Sequence, residues 1–288
     1  MTTLAEALAF GQGVERPFLC PSHDDTNASA SVNVALGVWF CFVCQSHGTL
    51  NDHVPTIDEA LSVLSGKAKP RVYAEAWLDI FDAYQPSPYW AKRYGADLAA
   101  YFRCGTHPVT GNPTYPLRGP DGLPRGVVQR QEGDPTRSGY SKYLYPAGVR
   151  ISDTFFGKAI KPKGVIVLVE GASDVMAVHY DGNVPRDWSI LGCYGSGVHV
   201  PQIDLLRDAA PRLIVAAFDA DKAGYNAARL AVKSCSEIAT VITHDWGKFG
   251  ANDPGDLVFA DHGSAMSALR TTVEAHAQGR KKETTHDR

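Results

Sequence analysis

The chain has 288 residues and a formal net charge of -3, and 44% of its side chains are apolar and 20% charged. This composition is that of a globular protein and excludes a chain that is disordered over most of its length. The slightly acidic balance also excludes nucleic-acid binding by a globally basic surface, so such binding would depend on local patches. No segment approaches the roughly 20 apolar residues that cross a membrane, and the first residues lack a secretory pattern. We therefore expect a cytoplasmic protein without membrane contact.

The first informative segment, residues 19–48, contains two pairs of potential metal ligands, and two residues separate the members of each pair. The pairs are Cys20 with His23 and Cys41 with Cys44. Soft or borderline ligands at this spacing fit tetrahedral zinc, and four protein ligands leave no open position for water. The alternation in SVNVALGVWFCF predicts strands around the ion. We predict one structural zinc ion, with His47 and His53 as alternatives to His23.

The middle of the chain predicts helices followed by a basic hairpin region. Helical segments are expected over residues 51–84, with a polar break at residues 65–71 that serves as a linker. Further on, YPLRGPDGLPRGVVQR predicts a strand, a turn at PDG and a second strand. From Arg118 to Lys163 there are nine basic and four acidic side chains, a local excess of +5. Three tyrosines are interleaved with these basic side chains, and they could stack on bases or form the core of a small sheet. They are Tyr140, Tyr143 and Tyr145.

From residue 165 onwards, continuous apolar runs alternate with helical segments. The runs are VIVLVEG, WSILGCYGSG, RLIVAAFDAD and EIATVITHDW. Strands that are apolar throughout and alternate with helices of roughly ten to fifteen residues are typical of a parallel sheet covered on both faces. We therefore predict an α/β domain in this part of the chain.

Acidic residues follow several of these predicted strands. Glu170 follows the first, Asp219 and Asp221 the third, and Asp253 and Asp256 the fourth. Because parallel strands present their carboxyl ends at one edge, these carboxylates are expected to converge there. Their mutual repulsion calls for a cation, and oxygen ligands select Mg²⁺ or Mn²⁺. The alternative is that Asp219 or Asp221 only caps the helix that starts near Lys222, but one cap accounts for one aspartate and not for five acids.

These motifs resemble those of a known family. The Glu-Gly after the first strand, the Asp-x-Asp after the third and the later Asp-Pro cluster are similar to the Toprim fold of bacterial-type primases, topoisomerases and some nucleases. CPSH, ASASV and CFVC resemble the zinc-binding domain of bacterial-type (DnaG-like) DNA primases, and YPLRGPDGLPRGVVQR with SKYLYP looks like their basic subdomain. The resemblance covers most of residues 19–257 and suggests a compact phage or mobile-element version. DPGD differs from the family's frequent DPD, so Asp253, Asp256 or both could be the ligand.

The resemblance implies a specific set of site residues. The zinc ligands would be Cys20, His23, Cys41 and Cys44. The Mg²⁺ or Mn²⁺ ligands would be Glu170, Asp174, Asp219, Asp221, Asp253 and Asp256. The catalytic residues would be Glu170, Asp219 and Asp221, with Glu170 either a metal ligand or a proton-transfer group. Nucleic-acid or nucleotide phosphates would contact Arg118, Arg130, Lys142 and Lys158.

The implied architecture is a small zinc-ribbon-like β domain, an α+β basic subdomain and a Toprim domain with a Rossmann-like parallel sheet. The expected boundaries are 1–60 for the zinc-binding domain, 61–85 for a helical linker, 86–162 for the basic subdomain, 163–262 for Toprim, and 263–288 for a helix and a disordered charged tail. The implied activity is synthesis of RNA primers from ribonucleoside triphosphates on single-stranded DNA, with a replicative helicase supplied separately. A phage-encoded protein would act in the host cytoplasm. The alternatives are a Toprim nuclease and a non-enzymatic, zinc-dependent single-stranded DNA-binding protein.

Overall fold

The chain is described by a computed structural model that covers residues 15–25, 28–33, 38–41, 43–44, 46–49, 72–82, 87–131, 142–146, 149, 151–158, 160–195, 197–260 and 263–286. It folds as two units. The first unit comprises Met1–Arg71 and Arg130–Val149, and the second comprises Val72–Gln129 and Arg150–Arg288. The helices predicted over residues 51–71, together with His53 and Tyr140, lie outside the described residues.

The first unit contains an antiparallel sheet of four short strands in chain order. The strands are β1 (Glu15–Phe18), β2 (Ala30–Asn33), β3 (Val38–Cys41) and β4 (His47–Thr49). Residues alternate between a buried and a more open face, as the sequence pattern predicted, and Val32 and Cys41 are fully buried. The rings of Phe18 and Trp39 meet edge to face at 5.8 Å. Because so small a core stabilises a fold only weakly, this unit is of the kind that depends on a metal.

The second unit begins with short helices and an antiparallel hairpin. A 3₁₀ turn at Glu75–Leu78 leads into α1 (Asp79–Asp82), α2 (Pro88–Tyr94) and α3 (Ala96–Tyr101). The strands that follow are β5 (Gly105–Thr106), β6 (Pro113–Arg118) and β7 (Pro124–Arg130). A further short strand, β8 (Tyr143–Leu144), belongs to the first unit. β6 pairs antiparallel with β7, which confirms the predicted strand, turn and strand. Gly122 in the turn has φ +77°, a conformation that side chains with a Cβ atom rarely adopt.

A four-stranded parallel sheet forms the centre of the second unit, in the order β10-β9-β11-β12. Its strands are β9 (Val165–Val169), β10 (Trp188–Gly192), β11 (Leu213–Ala216) and β12 (Val241–Thr243). The helices α4 (Ala172–Asp181), α5 (Val200–Ala209) and α6 (Lys222–Cys235) alternate with them. Every residue of β9 is buried, because this central strand is covered on both faces. The predicted α/β class and parallel sheet are confirmed.

The end of the chain packs against α4. After a 3₁₀ turn at Trp246–Phe249 come α7 (Pro254–Phe259) and α8 (Ala265–His286). Asp181 Oδ2 at the end of α4 accepts hydrogen bonds from Ser264 Oγ (2.7 Å) and Met266 N (2.8 Å), which fixes the start of α8. The structure continues α8 to His286, whereas we expected a disordered tail. The lysines and glutamate in this segment are good helix formers. None of the helices in the described part of the chain combines the length and apolar character that a membrane crossing needs.

A buried histidine joins β12 to α8 and predicts a pH dependence of stability. His244 is only 4% exposed, and its Nδ1 lies 2.8 Å from Thr272 Oγ1 on α8. Burial lowers the pKa of His244 from its ordinary value of 6.5 to about 4, although Asp245 opposes the shift and Lys248 adds to it. The unfolded chain therefore takes up the proton first as the pH falls. Because of this residue, we expect the free energy of unfolding to be about 3 kcal/mol lower at pH 4 than at pH 7.

The measurement is urea unfolding of the wild type and of His244→Asn at pH 7 and pH 4. Asparagine keeps a polar side chain near Thr272 but does not titrate. Comparing the change in unfolding free energy of the two proteins cancels the contribution of the other titrating groups. The variant should lose less stability on acidification than the wild type. An identical loss in both proteins would contradict the assignment.

Candidate functional site

Four predicted ligands meet in the first unit. Their ligand atoms all lie within 4.8 Å of one another, and they belong to Cys20, His23, Cys41 and Cys44. The Sγ atoms of Cys20 and Cys44 are 3.6 Å apart, and Cys41 Sγ is 4.0 Å from His23 Nδ1. A tetrahedral zinc ion at about 2.3 Å from each sulfur separates two thiolates by about 3.8 Å, so the cluster has the size that zinc requires.

The backbone around these cysteines favours thiolates. Ser22 N donates to Cys20 Sγ and Cys44 N donates to Cys41 Sγ, each at 3.4 Å. Hydrogen bonds from the side chain and backbone of Ser46 lower the pKa of the Cys44 thiol to about 6. A thiolate is the form that binds metal. Four protein ligands would close the coordination sphere of a tetrahedral ion, so the cluster fits a structural site.

The histidine of this cluster is His23, not His47. His47 pairs with Phe40 across β3 and β4, on the exposed side of the sheet, and it is not part of the cluster. The third sequence candidate, His53, is outside the described residues. The repeated two-residue spacing therefore identified the histidine that joins this cluster, and its role as a metal ligand remains a prediction.

The predicted acidic residues gather at the carboxyl edge of the parallel sheet. Glu170 directly follows β9, and Asp219 and Asp221 follow β11. Asp174 lies in the first turn of α4, and Asp253 directly precedes α7. Within the described residues, only the Cys/His cluster has three or more ligand atoms within 4.8 Å of one another, so the carboxylates are more widely spread. Mg²⁺ tolerates this arrangement, because it keeps several waters and uses one or two carboxylates together with substrate phosphates.

The pKa of Asp174 shows the effect of the neighbouring carboxylates at this edge. Its Oδ2 accepts a hydrogen bond from Gly171 N at 2.7 Å. Burial, followed by the negative charges of Asp219, Asp253 and Glu170, raises the pKa of Asp174 to about 8. A bound cation would reduce this repulsion between carboxylates, so the edge is electrostatically suited to a metal ion.

Two of the aspartates also cap helices. Asp221 Oδ1 accepts from Gly224 N at 2.8 Å at the start of α6, and Asp253 Oδ1 accepts from Asp256 N at 2.7 Å at the start of α7. The helix cap considered for Asp219 or Asp221 is therefore present at Asp221, and Asp253 provides a second cap that the sequence analysis did not name. A cap occupies one oxygen of a carboxylate and leaves the second as a potential ligand, so capping and metal binding are compatible.

The last acidic motif is tied to the tip of β11 through the backbone. Ala220 N donates to the carbonyl of Asn252 at 2.7 Å, which places the two acidic loops side by side. Asp253 is near enough to Asp174 to raise its pKa. Asp256 is exposed, and its Oδ2 accepts from Asn252 N at 3.3 Å within its own loop.

Gly224 is a site residue that the sequence analysis missed. A Cβ atom at this position would lie 2.0 Å from the carbonyl oxygen of Asp219, a contact with backbone that cannot be relieved by a rotamer change. Only glycine therefore lets α6 start so close to the tip of β11. The available sequence signal was the glycine three residues after DAD. Glycine in the first turn lowers the stability of a helix, so its presence there indicates that close packing requires it.

We expect Gly224→Ala to displace Asp219, to lower stability by roughly 1–3 kcal/mol and to weaken Mn²⁺ binding. Urea unfolding and Mn²⁺ titration measure the two effects. Gly279→Ala is the matched control, because a Cβ atom on Gly279 meets nothing within 4 Å. This control should be neutral or slightly stabilising. Equal behaviour of the two variants would contradict the role of Gly224.

Arg93 also lies beside the acidic edge, and no sequence pattern indicated it. A Cβ atom on Gly255 would lie 3.0 Å from Asp253 Oδ1 and 3.5 Å from Arg93 Nη2, so carboxylate and guanidinium flank the same space. The guanidinium also lies 5.5 Å from the ring of Tyr94 and 5.3 Å from that of Phe259. α2 therefore brings a positive charge to an edge that is otherwise rich in carboxylates.

The predicted basic residues of the second unit are engaged within it. Arg118 forms two hydrogen bonds with the carboxylate of Glu75, at 2.6 Å and 2.8 Å. Lys158 Nζ lies 3.9 Å from the ring centre of Tyr101 and donates to its carbonyl. Burial, and secondly the charge of Arg118, lower the pKa of Lys158. Both cations thus hold segments of this unit together, whatever else they bind.

The other two predicted basic residues lie in the first unit around one tyrosine. Arg130 Nη1 donates to Tyr143 Oη at 3.2 Å, and its guanidinium lies 5.7 Å from the ring. Lys142 Nζ lies 5.5 Å from the same ring, and Gln131 N donates to the Lys142 carbonyl at 3.0 Å. Tyr145 nearby is 39% exposed. The structure therefore brings Arg130 and Lys142 together at one aromatic side chain.

Comparison with known proteins gives the class of the parallel-sheet domain. Residues 167–257 match a family model described as Toprim-like. This range runs from within β9 to within α7 and includes the segments that carry the predicted acidic ligands. A search of curated protein sequences finds no match.

Solved structures resemble the chain over a longer range. The Aquifex aeolicus primase, with its zinc-binding and RNA polymerase domains, gives a TM-score of 0.55 at 18% identity over 92% of this chain and 79% of that one. The DnaG catalytic core gives 0.52 at 19% identity over 70% and 78%. The E. coli primase catalytic core gives 0.51 at 17% identity, also over 70% and 78%. At these identities the likeness establishes the fold: the chain has the fold of bacterial DnaG primase cores.

Proposed function

We propose that this protein is a DNA primase, which synthesises short RNA primers on single-stranded DNA by metal-dependent nucleotidyl transfer. The observation that carries the proposal is the combination, in one chain, of a carboxylate-lined edge on a Toprim-like sheet with a zinc-sized Cys/His cluster. The similarity to primase structures supports it. Within this proposal we keep the division into domains at 1–60, 61–85, 86–162, 163–262 and 263–288.

The sheet edge offers the donors that a nucleotidyl transfer site needs. All its candidate ligands are carboxylate oxygens, which suit Mg²⁺ or Mn²⁺. When bound, such ions neutralise phosphate charge and lower the pKa of a coordinated hydroxyl group. The proposed ligands are Glu170, Asp174, Asp219, Asp221 and Asp253, with Asp256 as the alternative to Asp253.

Residues of the chain itself would orient the nucleotide. Asp219 and Asp221 follow one strand with a single residue between them, so the tip of β11 presents both from one rigid support. Arg93 would bind a phosphate oxygen, because its guanidinium lies beside Asp253 and carries a charge that the carboxylates lack. Glu170 would either hold a metal ion or accept the proton of the attacking 3′-hydroxyl.

Template contacts would come from the first unit. Arg130 and Lys142 would bind phosphates while Tyr143 or Tyr145 stacks on a base, since cations next to aromatic rings are typical of single-strand binding. The zinc-binding strands would add start-site preference. Arg118 and Lys158 would contribute only if they exchange an internal partner for phosphate. A replicative helicase would be supplied separately, and the expected compartment is the cytoplasm, that of the host for a phage protein.

A Toprim nuclease is the second candidate, because the family model matches only the Toprim-like part and the same carboxylates could hold metal ions for hydrolysis. One experiment separates the candidates. The protein and Asp219→Ala are incubated with varied single-stranded DNA templates, labelled ribonucleoside triphosphates and Mg²⁺ or Mn²⁺. Short labelled RNA that is absent with the variant is the expected result. A shortened template without RNA indicates the nuclease, and binding without either product indicates a non-enzymatic single-strand binder.

A further inference from the structure

One carboxylate organises the loop that carries the first ligand pair. Asp25 Oδ2 accepts three hydrogen bonds, from Cys20 N at 2.7 Å, from Ser29 N at 2.9 Å and from Ser29 Oγ at 2.6 Å. A carboxylate oxygen that accepts three donors is stabilised in its ionised form. Asp25 therefore acts as a fixed hydrogen-bond acceptor next to the cluster.

The hydroxyl of Ser29 stands between this acceptor and two metal ligands. Ser29 is 8% exposed, and its Oγ lies 2.6 Å from Asp25 Oδ2, 3.4 Å from His23 Nε2 and 3.4 Å from Cys41 Sγ. A hydroxyl has one proton to donate and two lone pairs. The 2.6 Å separation is that of a charge-assisted hydrogen bond, while the other two contacts are longer. The proton is therefore directed to Asp25, and the oxygen is left as an acceptor.

This assignment determines the tautomer of His23. Because Ser29 Oγ faces Nε2 as an acceptor, Nε2 must carry the hydrogen. The neutral imidazole then has its lone pair on Nδ1, and Nδ1 is the nitrogen that lies 4.0 Å from Cys41 Sγ inside the cluster. The hydrogen bonds and the position of the ring thus select the same metal-binding atom.

We propose that Asp25 and Ser29 form a relay of positioning residues that holds His23 in the Nε2-protonated tautomer and presents Nδ1 to zinc. This proposal rests on the zinc binding proposed above and does not depend on the reaction of the second unit. Groups that hold the second nitrogen of a histidine ligand commonly change metal affinity by about 10- to 100-fold. Ser29→Ala removes only the hydroxyl, since the backbone bond from Ser29 N to Asp25 remains.

The first measurement is the rate at which the full-length, zinc-loaded protein releases zinc to a chromogenic chelator. We expect Ser29→Ala to release zinc roughly 10-fold or more faster than the wild type and Ser29→Thr to restore the slow rate. Ser31→Ala is the matched control, because Ser31 pairs with the exposed Phe40 on the other face of the sheet. Co²⁺ substitution should give the same tetrahedral absorption bands in all four proteins, which excludes misfolding as the cause of faster release.

The second measurement needs no variant at the relay. Nitrogen-15 NMR of histidine-labelled, zinc-loaded wild type should show a protonated Nε2 and a metal-bound Nδ1 for His23, with the signal assigned by comparison with His23→Cys. A proton on Nδ1, or a release rate of Ser29→Ala equal to that of the wild type, would overturn the relay while zinc binding stands. A wild type that binds no zinc would overturn both the relay and the zinc site. Absence of RNA synthesis would refute the proposed function and leave the relay intact.

Discussion

Replacing Asp174 by asparagine is expected to stabilise the protein in the absence of divalent cations and to abolish nucleotidyl transfer. The pKa of Asp174 is raised from 3.8 to about 8, chiefly by burial and then by Asp219, Asp253 and Glu170. A carboxyl group with a raised pKa in the folded state holds its proton there after the unfolded chain has lost it. Stability therefore falls as the pH rises from about 4 to about 8, and at pH 7 the cost is on the order of 4 kcal/mol.

Asparagine removes this cost because it does not ionise. Its amide oxygen can still accept the hydrogen bond from Gly171 N, so the start of α4 is kept. It is a weaker ligand than a carboxylate, and the loss of charge should remove the response to Mg²⁺. Residues that destabilise the metal-free protein but are needed for its activity are common in functional sites.

Thermal unfolding in Mg²⁺-free buffer with zinc retained measures this effect. We expect Asp174→Asn to melt higher than the wild type by on the order of 10 °C, and Mg²⁺ to raise the melting temperature of the wild type but not that of Asp174→Asn. Asp187→Asn is the control, because Asp187 lies on the surface before β10, at the opposite edge, and pairs with Arg212 at 2.7 Å. A melting temperature of Asp174→Asn at or below that of the wild type would contradict the predicted repulsion.

The second large effect is expected from Cys41→Ser. Cys41 is fully buried at the end of β3, and its Sγ is one of the four converging ligand atoms. Structural zinc contributes about 10–16 kcal/mol to the folding of small zinc domains, far more than the small core of the first unit can replace. We expect zinc content to fall from one ion to none, and single-stranded DNA binding by the first unit to be lost.

The two units contain tryptophans that report on them separately. Trp39 lies in the core of the first unit, and Trp246 Nε1 donates to the carbonyl of Ala217 in the second at 3.0 Å. In NMR spectra of Cys41→Ser, the Trp39 indole signal should move to its unfolded position while that of Trp246 stays. Cys104→Ala is the control, since Cys104 is buried against Met176 outside the cluster. Retention of zinc by Cys41→Ser, or a native Trp39 signal, would refute the structural zinc.

Patterns with a fixed period or spacing could be predicted from the sequence. The spacing of Cys20, His23, Cys41 and Cys44 identified the cluster, and the apolar runs identified the parallel sheet and therefore the common edge of the carboxylates. Both depend on local geometry, which the sequence encodes directly. The predicted binding roles of Arg118, Arg130, Lys142 and Lys158 remain proposals.

Contacts between distant segments could not be predicted in this way. Arg93 and Gly255 are far apart in the chain and meet only because α2 packs in the second unit. The pairing of Arg118 with Glu75 likewise depends on where the first 3₁₀ turn lies against β6. The proposed role of Ser29 depends on its hydroxyl donating to Asp25, and residue types alone do not specify the direction of a hydrogen bond.

The central claim is that carboxylates at the carboxyl edge of the parallel sheet hold the metal ions for RNA synthesis. The most direct measurement is the rate of labelled ribonucleotide incorporation on a single-stranded DNA template, with Mg²⁺ varied, by the wild type, Asp219→Asn and Asp187→Asn. We predict metal-dependent synthesis by the wild type and by Asp187→Asn, and a loss of roughly 10²-fold or more in Asp219→Asn. Synthesis by Asp219→Asn at the wild-type rate and Mg²⁺ dependence would contradict the account.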